Sequence, residues 1–250
     1  MRTYLVALLI GLSCPAAQAQ SSLGITGAEF SLGMVQDESG SARSRASATV
    51  DVAVTGVHGF QGDLSFDDTA SGGIGGVAAH LYMAPRNGQK YGLFAALSDV
   101  DGRSMMWGSL GAEGMLALSQ DTSLEVRAGF GVADADDLDF IFGGVGLAHE
   151  LTPEITLAGR LDVADFDEAA FRATAWDAGL TATWSPSNGP WGLQAGVTRS
   201  GLAGRDGVAG ETRISFGVTL SLGTAGGASP ATRPFGRTDP VAPLLRRKLW

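Results

Sequence analysis

The chain has 250 residues, of which 44% are hydrophobic and only 17% charged, and its formal net charge is −9. That acidic balance excludes a nucleic-acid binder, which presents basic side chains to phosphates. A single cysteine excludes a disulfide framework, and 37 glycines with no triplet repeat exclude collagen and exceed the roughly 7% glycine of ordinary globular chains.

Residues 1–19 read as a secretory signal. Arg2 supplies the positive start, Leu5 to Leu12 the apolar stretch, and Ala17-Gln18-Ala19 a small-x-small cleavage site. Lipoprotein processing at Cys14 is the alternative, and Gly11-Leu12-Ser13 fits it badly. Cleavage after Ala19 removes Cys14, so the mature chain carries no thiol. No other stretch approaches the roughly 18 apolar residues of a helical membrane span.

Residues 20–223 repeat one short pattern. Apolar residues alternate with small or polar ones for about ten positions, and a turn follows. Twelve strands are expected at 24–35, 45–54, 58–66, 73–83, 90–98, 105–118, 122–132, 139–149, 154–163, 170–184, 191–200 and 211–222. The number is defined to about two, so 10 to 14 strands fit. A barrel strand tilted near 45° needs about 9–11 residues to cross a membrane. The pattern therefore predicts an all-β fold, a transmembrane antiparallel up-and-down β-barrel of about twelve strands, apolar outside and polar inside.

The connections form two alternating sets. Thr55-Gly56, Pro85-Arg86-Asn87-Gly88, Gln120-Asp121-Thr122, Leu151-Thr152-Pro153-Glu154 and Ser185 to Pro190 carry tight-turn residues and are assigned to the periplasmic side. Asp37-Glu38, Asp67-Asp68, Asp99 to Asp101, Asp134 to Asp137, Asp165 to Glu168 and Arg205-Asp206 carry clustered carboxylates and are assigned to the exterior. These acidic loops read first as a solvated surface; the functional alternative is that their oxygens hold divalent cations bridging weakly to lipopolysaccharide phosphates, although no full calcium-binding loop is present.

Outward faces read Phe30, Leu32 and Met34 on the first strand, and Leu124, Val126, Phe130 and Val132 on the seventh. Tyr91, Trp107, Trp176, Trp184 and Trp191 lie near strand ends and are expected to form aromatic girdles. The opposite faces put Glu29, Asp51, Gln61, Asp63, His80, Tyr82, Glu113, Glu125, Arg127, Arg160, Asp162, Asp177, Gln194 and Arg213 in the lumen. Acids outnumber bases there, which favours cations in an open pore. Neighbouring pairs such as Glu125 with Arg127 and Arg160 with Asp162 also fit a charge network that fills the interior.

The last strand, with Ile214, Phe216, Val218, Leu220 and Leu222 on one face, resembles the assembly signal of Gram-negative outer-membrane β-barrel proteins of the porin-like group. Ser215, Gly217, Leu220 and Leu222 fill its polar, glycine and apolar places. The resemblance implies a cell outer-membrane location, lipid and lipopolysaccharide around the barrel, and recognition by the barrel-assembly machinery. The chain departs from the pattern in having aliphatic Leu222 where an aromatic is usual, and in running on.

The segment 224–250 opens with Gly and Ala, contains Pro230, Pro234, Pro240 and Pro243, and ends Arg246-Arg247-Lys248-Leu249-Trp250. It reads as a flexible, Pro-rich basic periplasmic tail. Folding back into the acidic lumen and binding a periplasmic partner are the alternatives.

No nucleophile setting, metal cluster or cofactor motif is legible. Only three histidines exist, on separate strands, and Gly72-Gly73-Ile74-Gly75-Gly76 has no following helix. The expected function is a porin-like passive channel for small solutes or ions with mild cation preference, without an enzymatic activity, a cofactor or a metal. The alternative is a non-conducting structural or surface-interaction barrel. A soluble β-sandwich is disfavoured by the girdles, the glycine content and the last strand.

Overall fold

The computed structural model describes residues 24–103, 105–134, 138–168, 171–247 and 249. The secretory signal with Cys14, residues 135–137 of one acidic loop, Lys248 and Trp250 lie outside the described residues.

The period-two alternation folds into twelve strands: β1 (Ile25–Asp37), β2 (Ala42–Ala53), β3 (His58–Thr69), β4 (Gly72–Arg86), β5 (Gln89–Val100), β6 (Met106–Ala117), β7 (Thr122–Ala133), β8 (Asp139–Thr152), β9 (Ile155–Asp167), β10 (Arg172–Trp184), β11 (Trp191–Ala203) and β12 (Val208–Gly223). Each pairs antiparallel with its neighbours in sequence, and β1 pairs with β12 over Gly27–Asp37, so the sheet closes without an edge. Closure satisfies every strand's backbone inside the wall, a condition for a sheet facing lipid. The outward face is apolar and bare: Leu81 and Leu93 are each 66% exposed and Phe216 64%. A continuous band of such residues marks a surface that meets something other than water.

Strands rise higher at the acidic end than expected. Asp37, Asp67, Asp68, Asp99 and Asp165 lie within strands rather than in loops, and Asp67 and Asp68 pair with Ile74 and Gly73. Aspartate disfavours strands in general, but at the rim the ladder holds the backbone while the carboxylate reaches solvent or an arginine. Arg45 Nε, opposite in register, sits 3.2 Å from Asp67.

Trp107 corrects the girdle assignment. It is 3% exposed and faces the interior, on the same side of β6 as Glu113 and Met115. Tyr91, Trp184 and Trp191 are 46%, 45% and 41% exposed at the tight-turn end, and Trp176 faces outward on β10. Trp184 Nε1 donates to Glu154, and the Ser187 N–H and hydroxyl with that indole hold the Glu154 carboxyl below its usual range.

Many inward glycines make room for rings. A Cβ on Gly129 would lie 2.7 Å from the Phe142 ring, and one on Gly111 2.6 Å from Phe94. Phe94, Phe140, Phe142 and Phe166 form a chain of ring contacts along one side of the interior, with centroids 5.5 to 6.1 Å apart.

The segment after β12 does not extend away as a flexible tail. Gly223, at φ +69°, turns the chain back towards the barrel, and Thr224 N–H donates to Thr26 O at 2.9 Å. The segment then runs the length of the lumen. It ends near the acidic rim in a short helix, α1 (Ala242–Arg246), whose Leu244 and Leu245 are fully buried. Charge and apolar burial together explain this path. A basic segment meets an acidic interior, and its few large apolar residues find the aromatic side of the bore.

Candidate functional site in the barrel lumen

The tail meets β3 to β8 on one wall, chiefly through backbone groups captured by side chains. Gln61 on β3 is fully buried and treats Phe235 as a neighbouring strand would: its Oε1 accepts from Phe235 N–H at 2.8 Å and its Nε2 donates to Phe235 O at 3.0 Å. Lys90 on β5 donates to Arg233 O at 2.9 Å. Glu125 accepts from Gly236 N–H at 2.8 Å, and Arg127 donates to Gly236 O at 2.6 Å and to Thr238 Oγ1 at 2.7 Å. A Cβ at Gly236 would lie 2.8 Å from the Arg127 guanidinium, so a larger residue there would have to displace that side chain.

Beneath Phe235 lies a buried charge cluster. His80 on β4 bonds Asp63 through Nε2 at 2.8 Å and Glu113 through Nδ1 at 2.6 Å. The Phe235 ring stacks on His80, centroids 5.8 Å apart and 9° from parallel, with Lys90 Nζ 4.4 Å from the same ring. Tyr82 meets Phe235 edge-on and donates to Asp51. Both His80 nitrogens are thus engaged by carboxylates, partners on strands β3 and β6 that adjacency in sequence did not reveal. Glu113 Oε2 is buried without a hydrogen-bond partner among the described residues.

Nearer the acidic rim, Trp107 Nε1 donates to Asp239 at 3.1 Å, and Asp239 also accepts from the N–H groups of Val241 and Ala242. Burial lifts the Asp239 carboxyl from 3.8 to about 6, against the pull of Arg246. Arg246 bonds Asp177 at 3.4 Å, Ser71 Oγ donates to Leu245 O, and Arg247 reaches Ser200.

The opposite wall, β1, β2 and β9 to β12, carries small inward residues such as Ser31, Thr181, Thr198, Ser215 and Thr219, and below α1, which reaches β10 and β11 through Arg246 and Arg247, the tail leaves space there. A cavity of about 330 Å³ between tail and wall occupies the tight-turn half, lined by Glu29, Thr49, Ser221 and Arg233 among others. Others of about 170 Å³ and 60 Å³ continue towards the acidic rim. Arg45 and Arg160 line all three.

The inward positions Glu29, Asp51, Asp63, His80, Glu113, Glu125, Arg127, Arg160, Asp162, Asp177 and Arg213 therefore divide into two groups. Asp51, Asp63, His80, Glu113, Glu125 and Arg127 lie beneath or against the tail, Asp51 by way of Tyr82. Glu29, Arg160, Asp162, Asp177 and Arg213 line the remaining space, where Arg160 Nε stands 3.7 Å from Asp162 and Arg213 3.0 Å from Asp177. Sequence reasoning missed Arg45, Lys90 and Phe235. Arg45 shares a face with Asp51, and Lys90 lies opposite in phase to Leu93 and Leu97, so strand parity was the available signal.

No protein-family model matches the sequence, and neither does any curated protein sequence. Comparison with solved structures finds barrels. The NanC porin superposes with a TM-score of 0.61 at 9% identity, over 77% of this chain and 100% of that one. An outer-membrane channel of Pseudomonas putida F1 gives 0.57 at 13%, over 84% and 99%. The KdgM porin gives 0.54 at 10%, over 78% and 99%. At such identities the likeness is one of fold: the chain is an outer-membrane-type β-barrel of twelve antiparallel strands, related to these porins and this channel by structure alone.

Proposed function

We propose that the protein is a passive outer-membrane channel for small solutes or ions, narrowed by its own C-terminal segment. The observation that carries this reading is the line of polar cavities left beside the tail, the tight-turn one chiefly against β1, β2 and β9–β12 and the rim ones reaching round to β3–β5. The tight-turn end faces the periplasm, the apolar band meets lipid, and the acidic rim faces lipopolysaccharide. The last strand, with Ser215, Gly217, Leu220 and Leu222, serves recognition by the barrel-assembly machinery during insertion. The mild cation preference suggested by the sequence belongs to the acidic wall considered without the tail.

The test is single-channel recording of the purified full-length barrel in a planar bilayer. Stable conductance steps are expected. A silent membrane containing verified, heat-modifiable folded protein would instead favour the second reading, a filled structural barrel, for which the His80 cluster and the aromatic side of the bore speak.

A further inference from the structure

We propose that the barrel is an export conduit for its own C-terminal segment, which enters the lumen from the periplasmic end, crosses it, and leaves residue 249 at the cell surface. Export takes only its orientation from the channel reading above, tight turns towards the periplasm and acidic rim outward, and it needs no conductance.

Bonds to wall residues mark the crossing. At the tight-turn end Thr224 N–H donates to Thr26 O at 2.9 Å, and Ala228 N–H donates to Glu150 Oε1 at 2.6 Å, close to the end of β8. Phe235 and Gly236 follow further along, on Gln61 and Glu125. At the acidic end Ser71, in the turn between β3 and β4, donates to Leu245 O, and Arg247 bonds Ser200 near the end of β11. Fully extended, residues 224–241 would reach about 60 Å, twice the ~30 Å of a hydrocarbon core, so the segment crosses with slack.

The wall holds main chain rather than side chains. Gln61 takes both the N–H and the carbonyl of Phe235, Lys90 the carbonyl of Arg233, and Glu125 and Arg127 the two main-chain groups of Gly236. Bonds of this kind do not depend on side-chain identity, as when an extended peptide adds to a sheet edge, so one wall fits successive stretches of a passing chain.

The outer mouth supplies a stop. A helix is wider than an extended chain, and Leu244 and Leu245 of α1 join Val100, Leu138 and Phe166, beside three acidic loops, in one buried apolar cluster. Slipping back towards the periplasm would first strip these leucines of their burial. Leu249, beyond the helix, is 39% exposed.

The experiment is cysteine labelling on intact cells, with a maleimide joined to a polymer too large to cross the outer membrane. With the signal removed the chain carries no thiol, so each full-length variant reports one site. Leu249→Cys is the test. Asp101→Cys in an acidic loop and Asn87→Cys in a tight turn, both at exposed positions, calibrate the two sides. Leu249→Cys and Asp101→Cys should label on intact cells, and Asn87→Cys only once the outer membrane is opened. A peptide tag joined after residue 250 should likewise be lost to protease added outside, and access at either residue 249 or the tag supports export. Heat-modifiable migration checks that each variant is folded. Labelling of Asp101→Cys while residue 249 and the tag both stay protected overturns export and leaves the orientation standing. Labelling of Asn87→Cys in place of Asp101→Cys reverses the orientation and overturns both. A silent barrel that labels at residue 249 keeps export and loses the channel.

Discussion

Phe235 is the residue on which docking of the tail turns. It is 2% exposed, its backbone is held on both sides by Gln61, and its ring lies between His80 and Lys90. Phe235→Ala should weaken docking by about 3–5 kcal/mol, the usual cost of truncating a buried phenylalanine. The readout is faster proteolysis of the tail in otherwise folded barrels, together with larger conductance steps. Asp239 gives docking a pH dependence. Its carboxyl titrates near 6 when docked and near 3.8 when free, so the docked form binds the proton more tightly. The resulting stabilisation is fully present below about pH 3.8 and is lost as pH rises through about 6. Between pH 7.5 and 5, acidification should therefore protect the tail from protease, and Asp239→Asn should abolish that change.

At the scale of the strand, alternation made the architecture legible. Twelve segments with one apolar face leave few ways to satisfy backbone and side chains other than a closed barrel. The acidic ends were not legible, because residue propensity describes an average strand and not a rim where Asp67 pairs across to Arg45. Trp107 was misread for a related reason. Nearness to a strand end suits both a girdle and a lumen plug, and only the parity shared with Glu113 separates them. Lipids carrying bromine on their acyl chains offer a test. Variants retaining a single tryptophan at 184 or 191 should be strongly quenched, whereas one retaining Trp107 should be nearly unaffected until the tail is removed.

At the scale of the molecule, the tail's return into the lumen was legible only as an alternative to a flexible periplasmic end. Its glycines and prolines describe a chain with no structure of its own. That is accurate for the segment in isolation and misleading once a wall supplies partners for Gly236, Thr238 and Asp239. The inward polar positions could be named strand by strand, but not which of them would end beneath the tail. That depends on which wall carries bulky side chains and which carries Ser and Thr, a property of the closed circle.

Because Gly223 turns the chain directly from the wall into the bore, the occupant of the lumen is tethered to it. A tether of this kind holds a ligand at an effective concentration in the millimolar range for short flexible linkers. A displaced tail therefore cannot be diluted away, and it returns as soon as whatever displaced it leaves. On the channel reading, a solute too large for the space beside the tail must compete with this resident, so the narrowed bore is the default state. Supplied instead as a free peptide to a barrel ending at Gly223, the same segment should restore the full-length conductance only at about millimolar concentration, and restoration at far lower doses would show that the tether contributes little.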